Sequence, residues 1–184
     1  AYQGIFRNPL VSPDVLGVSS GAAFGAAVGI LLALPVAGIE AMAFLGGLAA
    51  VIAVYGVAAA IRGRDPILVL VLSGVVIGAL MGSGVALVKF LADPENQLPA
   101  ITFWLLGSLA AFDRNDFLFL VIPVVLALLP LILVRWQLDA MTLGDEEASA
   151  LGVRVRIVRV SVVVAATLMT SAAVAVSGTV GWIG

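Results

Sequence analysis

Residues able to do chemistry are scarce in this chain of 184 residues. Histidine and cysteine are absent, and Lys89 is the only lysine. That removes thiolate chemistry, disulfides, the commonest metal ligands and the phosphate-cradling Gly-x-x-x-x-Gly-Lys loop. No apolar run carries paired carboxylates, so a general acid facing a general base is missing as well. An enzyme reading fails on this inventory. If the protein uses ATP, another subunit must hydrolyse it; a passive channel fits the same inventory.

The polar residues that remain have spacings suited to docking. Thr142 with Asp145 three residues on has the form of a capping box, and Asp145, Glu146 and Glu147 complement the positive end of a helix. Gly152 is placed to end that helix after Leu151. The pattern predicts a short exposed helix of roughly two turns, with Leu143, Ala148 and Leu151 as its apolar contacts. The alternative is a structured loop on the membrane surface. Lys89 is a charge inside an apolar run; lying near Asp93 at the end of its span, it reads as a side chain that snorkels to the interface.

The elements that must position these residues are apolar helices. The chain is 62% hydrophobic and 11% charged, with mean hydropathy +1.22, whereas a soluble domain carries about a quarter charged residues. It is a membrane protein by composition, and its net charge of −2 gives no basic patch for nucleic acid. Five runs approach the roughly 20 residues needed to span a bilayer: Val15 to Leu34, Ala41 to Ile61, Ile67 to Leu91, Phe117 to Val134 and Val158 to Val176. A sixth, Ile101 to Ala111, is too short and reads as a re-entrant or interfacial helix with Trp104 near the headgroups. Arg7, Arg62, Arg64, Arg135, Arg154, Arg156 and Arg159 fall on one side of the alternating spans, which the positive-inside rule makes cytoplasmic.

Before the first span, Asn8-Pro9-Leu10-Val11-Ser12-Pro13-Asp14 forms a rigid turn. Its two prolines bar regular helix. Ser12 is the expected N-cap, with Pro13 in the first helical turn and Asp14 at the positive helix end. Gly17, Gly21, Gly25 and Gly29 then recur every fourth residue, and Gly74, Gly78 and Gly82 do so in the third span near Ser73 and Ser83. Such ridges let helices approach closely in lipid.

These residues also carry a resemblance. Asn8-Pro9-Leu10, Ser12-Pro13-Asp14 and Leu16-Gly17-Val18-Ser19-Ser20-Gly21-Ala22 resemble the signature of the FecCD-type permeases, the membrane subunits of ABC importers for iron siderophores, haem and cobalamin. Three later segments resemble it in the same order: Phe103-Trp104-Leu105-Leu106-Gly107-Ser108-Leu109, then Thr142-Leu143-Gly144-Asp145-Glu146-Glu147-Ala148 with Leu151-Gly152-Val153, and Gly178-Thr179-Val180-Gly181-Trp182-Ile183-Gly184.

The resemblance implies an all-α polytopic bundle in the cytoplasmic (inner) membrane. Residues 1–184 would be part of a ten-span permease cut at both ends, with residues 138–156 as its cytoplasmic coupling segment. It implies three protein partners: an ATP-binding subunit that uses ATP and Mg, an extracytoplasmic binding protein that delivers substrate, and a second permease copy. No cofactor is expected on this chain itself. Thr142, Leu143, Gly144, Asp145, Glu146, Ala148, Leu151, Gly152 and Val153 become the ATPase-coupling surface. Pro66, Ile67 and Leu68 fall at a cytoplasmic gate, with Asn8 and Leu10 as a second constriction. The glycines and serines of the two ridged spans become residues of path or packing. An iron(III)-siderophore or similar metal chelate is the expected substrate, with haem, cobalamin and molybdate open. The competing readings are a self-powered secondary transporter or channel, which needs ionisable or unwound sites near the midplane, and a scaffold without a path.

Overall fold

The computed structural model describes residues 13–61, 66–107 and 114–179, and within them the protein is helical. A 3-10 turn, Pro13–Leu16, leads into α1 (Val18–Leu31), followed by α2 (Val36–Ala60), α3 (Pro66–Leu91), α4 (Gln97–Leu106), α5 (Arg114–Leu133), α6 (Arg135–Met141), α7 (Asp145–Ala150) and α8 (Val155–Ser177). Asn8, Leu10, Ser12 and the Val180-to-Gly184 part of the last motif lie outside the described residues.

Among the described residues, three helices are long and apolar enough to cross a bilayer: α2, α3 from Leu68 onward, and α8. A fourth span arises if Phe117–Leu133 and Arg135–Met141, bent by 63° at Val134, count as one. The protein is thus an all-helical, multi-span membrane protein with three to four candidate spans here instead of the five expected.

The difference lies at α1. Its 14 residues reach only about 21 Å at 1.5 Å per residue, short of the ~30 Å hydrocarbon core. Helix does not continue back to Val15 because Gly17 is left-handed, at φ 73°. The N–H of Gly17 closes the 3-10 turn on the Asp14 carbonyl at 2.8 Å, and the Ser19 hydroxyl donates to the Asp14 carboxylate. Asp14 serves the start of α1, as its charge suggested, but from outside the helix. At the other end the N–H groups of Ala33 and Leu34 return to the carbonyls of Ile30 and Gly29, a Schellman closure completed before Pro35.

The expected re-entrant helix begins four residues earlier, at Gln97, and ends at Leu106. Pro99 does not block it, because a proline in the first turn forfeits an N–H that has no intrahelical partner. The Asp93 carboxylate accepts from the Asn96 backbone N–H at 3.0 Å and side-chain amide at 2.8 Å, and the Gln97 amide donates to the Leu31 carbonyl at 3.0 Å. The last of these bonds ties α4 to the end of α1.

Two buried clusters mark the two ends of the bundle. One joins Leu16, Val18, Val54, Leu70, Met141, Ala148, Val153 and Val158; the other joins Ala27, Ile30, Val88, Ala92 and Ile101. The first cluster gathers the segments next to Arg135, Arg154, Arg156 and Arg159, which makes this the arginine-rich end among the described residues; Arg7, Arg62 and Arg64 lie outside them. Large apolar side chains on α3, among them Leu72, Val76, Leu80 and Phe90, remain exposed, which suits a surface facing lipid or other membrane helices.

The antiparallel seam between α1 and α2 is built from glycine. A Cβ on Gly21 would fall 2.4 Å from the Gly46 carbonyl oxygen, and one on Gly25 would fall 2.0 Å from that of Met42. Backbone cannot swing aside as a side-chain tip can. Gly25→Ala in the full-length protein is expected to cost about 1–3 kcal/mol and to lower the melting temperature in detergent. Gly56→Ala, where a Cβ meets nothing within 4 Å, is expected to leave it equal or higher, since alanine favours helix by about 1 kcal/mol.

Candidate functional site

The acidic segment is the most completely built of the candidate sites. α5 contains Pro123 and Pro130, and the chain turns by 63° after Leu133, which directs α6 away from the axis of its span. Thr142, Leu143 and Gly144 then lead into α7. The capping box does not form: the Thr142 hydroxyl donates back to the Asp139 carbonyl at 2.7 Å. Gly144, at φ 147° and ψ 160°, takes the N-cap position without a side-chain cap. A threonine hydroxyl satisfied within the preceding turn is no longer free to cap the next one.

The C-terminal stop does form as expected. Gly152 is left-handed at φ 82°, its N–H reaches the Ser149 carbonyl at 2.9 Å, and the Val153 N–H reaches the Ala148 carbonyl at 3.0 Å. This is a Schellman motif with glycine in its usual place, accompanied by burial of Ala148 and Val153 in one cluster.

The segment therefore has two faces. Gly144, Ala148 and Val153 turn into the protein's own core, while Leu143 and Leu151 are 62% and 54% exposed beside exposed Glu146 and Glu147. Ala148, expected as an outward contact, instead anchors the helix. Asp145 also departs from its neighbours. Its carboxylate takes two hydrogen bonds from one Arg159 nitrogen, Nη2, at 2.8 Å and 3.1 Å. This partner, 14 residues away on α8, was not legible in the sequence; the only available signal was an arginine one turn into an apolar helix.

At the opening turn the two glycine ridges meet. A Cβ on Gly74 would lie 2.0 Å from the Val15 carbonyl oxygen, and one on Gly17 would lie 3.4 Å from the Gly78 nitrogen. Further along α3 the contact opens. A Cβ on Gly78 would have ordinary room, at 3.6 Å from the Ser20 hydroxyl, and one on Gly82 would meet nothing. The widening leaves a cleft of about 360 Å³ lined by Ser19, Ser20, Ala23, Gly82, Val85, Leu105 and Thr179.

That cleft joins motifs distant in sequence. Gly178, at φ 72°, lies against the end of α4, where a Cβ would fall 2.4 Å from the Trp104 carbonyl oxygen and 2.8 Å from the Gly107 Cα. The Thr179 hydroxyl donates to the Leu105 carbonyl. Of the two serines singled out on α3, neither lines this cleft. Ser73 is buried beside Val57, Val69 and Val76, while Ser83 is exposed and bonds the Ala79 carbonyl at 3.0 Å. Ser19, Ser20 and Thr179, which do line it, were visible only as letters in motifs. Leu68 is 53% exposed at the start of α3, and the side chains of Pro66 and Ile67 lie outside the described residues.

The Gly152 turn carries a direct test. Gly152→Ala is expected to cost about 1–2 kcal/mol through left-handed strain alone, because a Cβ there meets no atom within 4 Å. It should speed proteolysis between residues 141 and 153, and Gly152→Asn, whose side chain tolerates this conformation, should recover most of the protection.

Comparison with known proteins gives the same picture over the whole chain. It is 35% identical over 182 residues to the molybdate import system permease protein MolB of Haemophilus influenzae, covering 99% of this chain and 54% of that protein. It is 39% identical over 186 residues to the Fe(3+) dicitrate transport system permease protein FecD of Escherichia coli K12, covering 99% and 56%. A solved structure described as an inward-facing conformation of a metal-chelate type ABC transporter superposes with a TM-score of 0.90 at 35% identity, covering 99% of this chain and 57% of that one. The chain thus spans about half the length of the curated relatives it matches. The model of the FecCD transport family matches residues 1–184, and with the opening turn, the α4 end, the acidic segment and the Gly178 turn all in its order, the chain belongs to that family.

Proposed function

We propose that the protein is the membrane-spanning permease part of an ATP-driven importer. The observation that carries this reading is the two-faced segment at the arginine-rich end of the bundle: α7 is stapled inward through Ala148 and Val153 and presents Leu143, Glu146, Glu147 and Leu151 outward. Apolar side chains ringed by carboxylates on a short helix fit a groove on a partner better than they fit water. The partner is an ATP-binding subunit that holds ATP and Mg, since this chain offers no phosphate loop. The coupling unit is residues 138–156 within the permease domain.

Transport then requires two permease copies around a path and an extracytoplasmic binding protein that hands over the substrate. ATP-driven approach of the two ATP-binding subunits shifts α7 and reorients the spans, with the cargo bound differently in the two states. Pro66, Ile67 and Leu68, with Asn8 and Leu10, narrow the cytoplasmic end of that path. A metal chelate such as an iron(III)-siderophore complex is the substrate class. Support comes from relatives named for Fe(3+) dicitrate transport and for metal-chelate transport, while the relative named for molybdate import makes an oxyanion the competing cargo.

The test is capture of the ATP-binding subunit by the tagged full-length protein. Leu143→Glu with Leu151→Glu changes only exposed positions, so the fold should survive while capture and ATP-dependent uptake into proteoliposomes both fall at least about ten-fold, the scale expected on losing anchoring contacts. Undiminished capture would refute this docking surface. Uptake driven by an ion gradient without ATP would favour the self-powered transporter.

A further inference from the structure

We infer that Arg159 is a positioning residue for energy coupling: through Asp145 it locks the docking helix α7 to the membrane span α8, so that the two move as one body. This rests on the reading of α7 as the ATP-binding subunit's docking helix and adds the route by which its displacement enters the membrane.

Four observations carry the inference. First, α7 has six residues and lies between glycines with positive φ, Gly144 at 147° and Gly152 at 82°. A helix this short does not hold itself, and a glycine at either end leaves its direction to tertiary contacts. Second, the tie to α8 is geometrically specific. Arg159 Nη2 lies 2.8 Å and 3.1 Å from the two Asp145 oxygens, with the Arg159 side chain 19% exposed. Third, Arg159 sits near the start of α8, where the helix dipole disfavours a cation. Its Nε is buried without a partner among the described residues. The carboxylate of Asp145 is what offsets a charge placed there. Fourth, the acidic triplet divides: Glu146 and Glu147 are exposed, and Asp145 alone turns back onto the protein.

Beyond Arg159 the path is close-packed. Val158, Val162 and Val163 of α8 share one buried cluster with Leu16 of the opening turn, Val18 of α1, and Leu70 and Ile77 of α3. Close-packed interiors transmit displacement because they compress little. A pull on α7 therefore reaches α8 through the ion pair, and from α8 it reaches the turn that meets α3 at Gly74. Ala148 and Val153 enter the same cluster, and the ion pair adds to that packing a polar tie whose partners are fixed by charge and hydrogen bonding.

The experiment uses the full-length protein with its ATP-binding subunits and binding protein in proteoliposomes, measuring uptake and ATP hydrolysis in the same vesicles. Arg159→Gln should keep the ATP-binding subunit bound yet lower the uptake per ATP hydrolysed by about ten-fold, within the range by which residues between two sites alter their coupling. The charge exchange Asp145→Arg with Arg159→Asp should restore much of that ratio. An unchanged ratio in Arg159→Gln, with the complex intact, would overturn the inference. Loss of the complex that the charge exchange does not reverse would overturn it too, since the pair would then only support the fold. The docking reading is judged separately, by whether the wild-type chain captures the ATP-binding subunit at all.

Discussion

The arrangement of α1, α2 and α3 depends on helices meeting backbone to backbone. Lipid gives apolar side chains no reason to leave it for one another, so helices in a bilayer associate through close contact and polar bonds. Here Gly21 and Gly25 of α1 lie against the carbonyls of Gly46 and Met42 on α2, and Gly74 of α3 lies against the carbonyl of Val15. Remove that closeness and the opening turn loses its seat, α1 its partner and the cleft beside Gly82 its wall.

The same seam explains why α1 is short. A continuous helix from Pro13 would need Gly17 in the right-handed region. The left-handed Gly17 instead turns the 3-10 segment onto Gly74 and places Leu16 in the cluster that holds the acidic segment. The cost of one break in the helix is offset by contact with three other elements.

Opposite ends of the bundle are built on different principles. At the arginine-rich end, packing and an ion pair hold a helix of six residues against α8. At the other end, hydrogen bonds among Asp93, Asn96, Gln97 and the Leu31 carbonyl hold α4 in place, and the end of α4 touches Gly178.

The sequence by itself determined the membrane class, the helical class, the alternation of basic and apolar segments and the positions of the turns, because composition, hydropathy and glycine and proline chemistry act locally. Gly152 was legible as a helix stop for that reason, and the FecCD resemblance followed from motif order alone. Tertiary structure decided what those local signals could not. Asp145 turned to Arg159, and Ala148 faced inward. Gly178 came to rest on Gly107, and Ser19, Ser20 and Thr179 gathered at one cleft. Each of these depends on which atoms approach closely, within about 3 Å for a hydrogen bond, and that is set by segments that are neighbours in space while separated along the chain, by 14 residues for Asp145 and Arg159 and by 74 for Thr179 and Leu105.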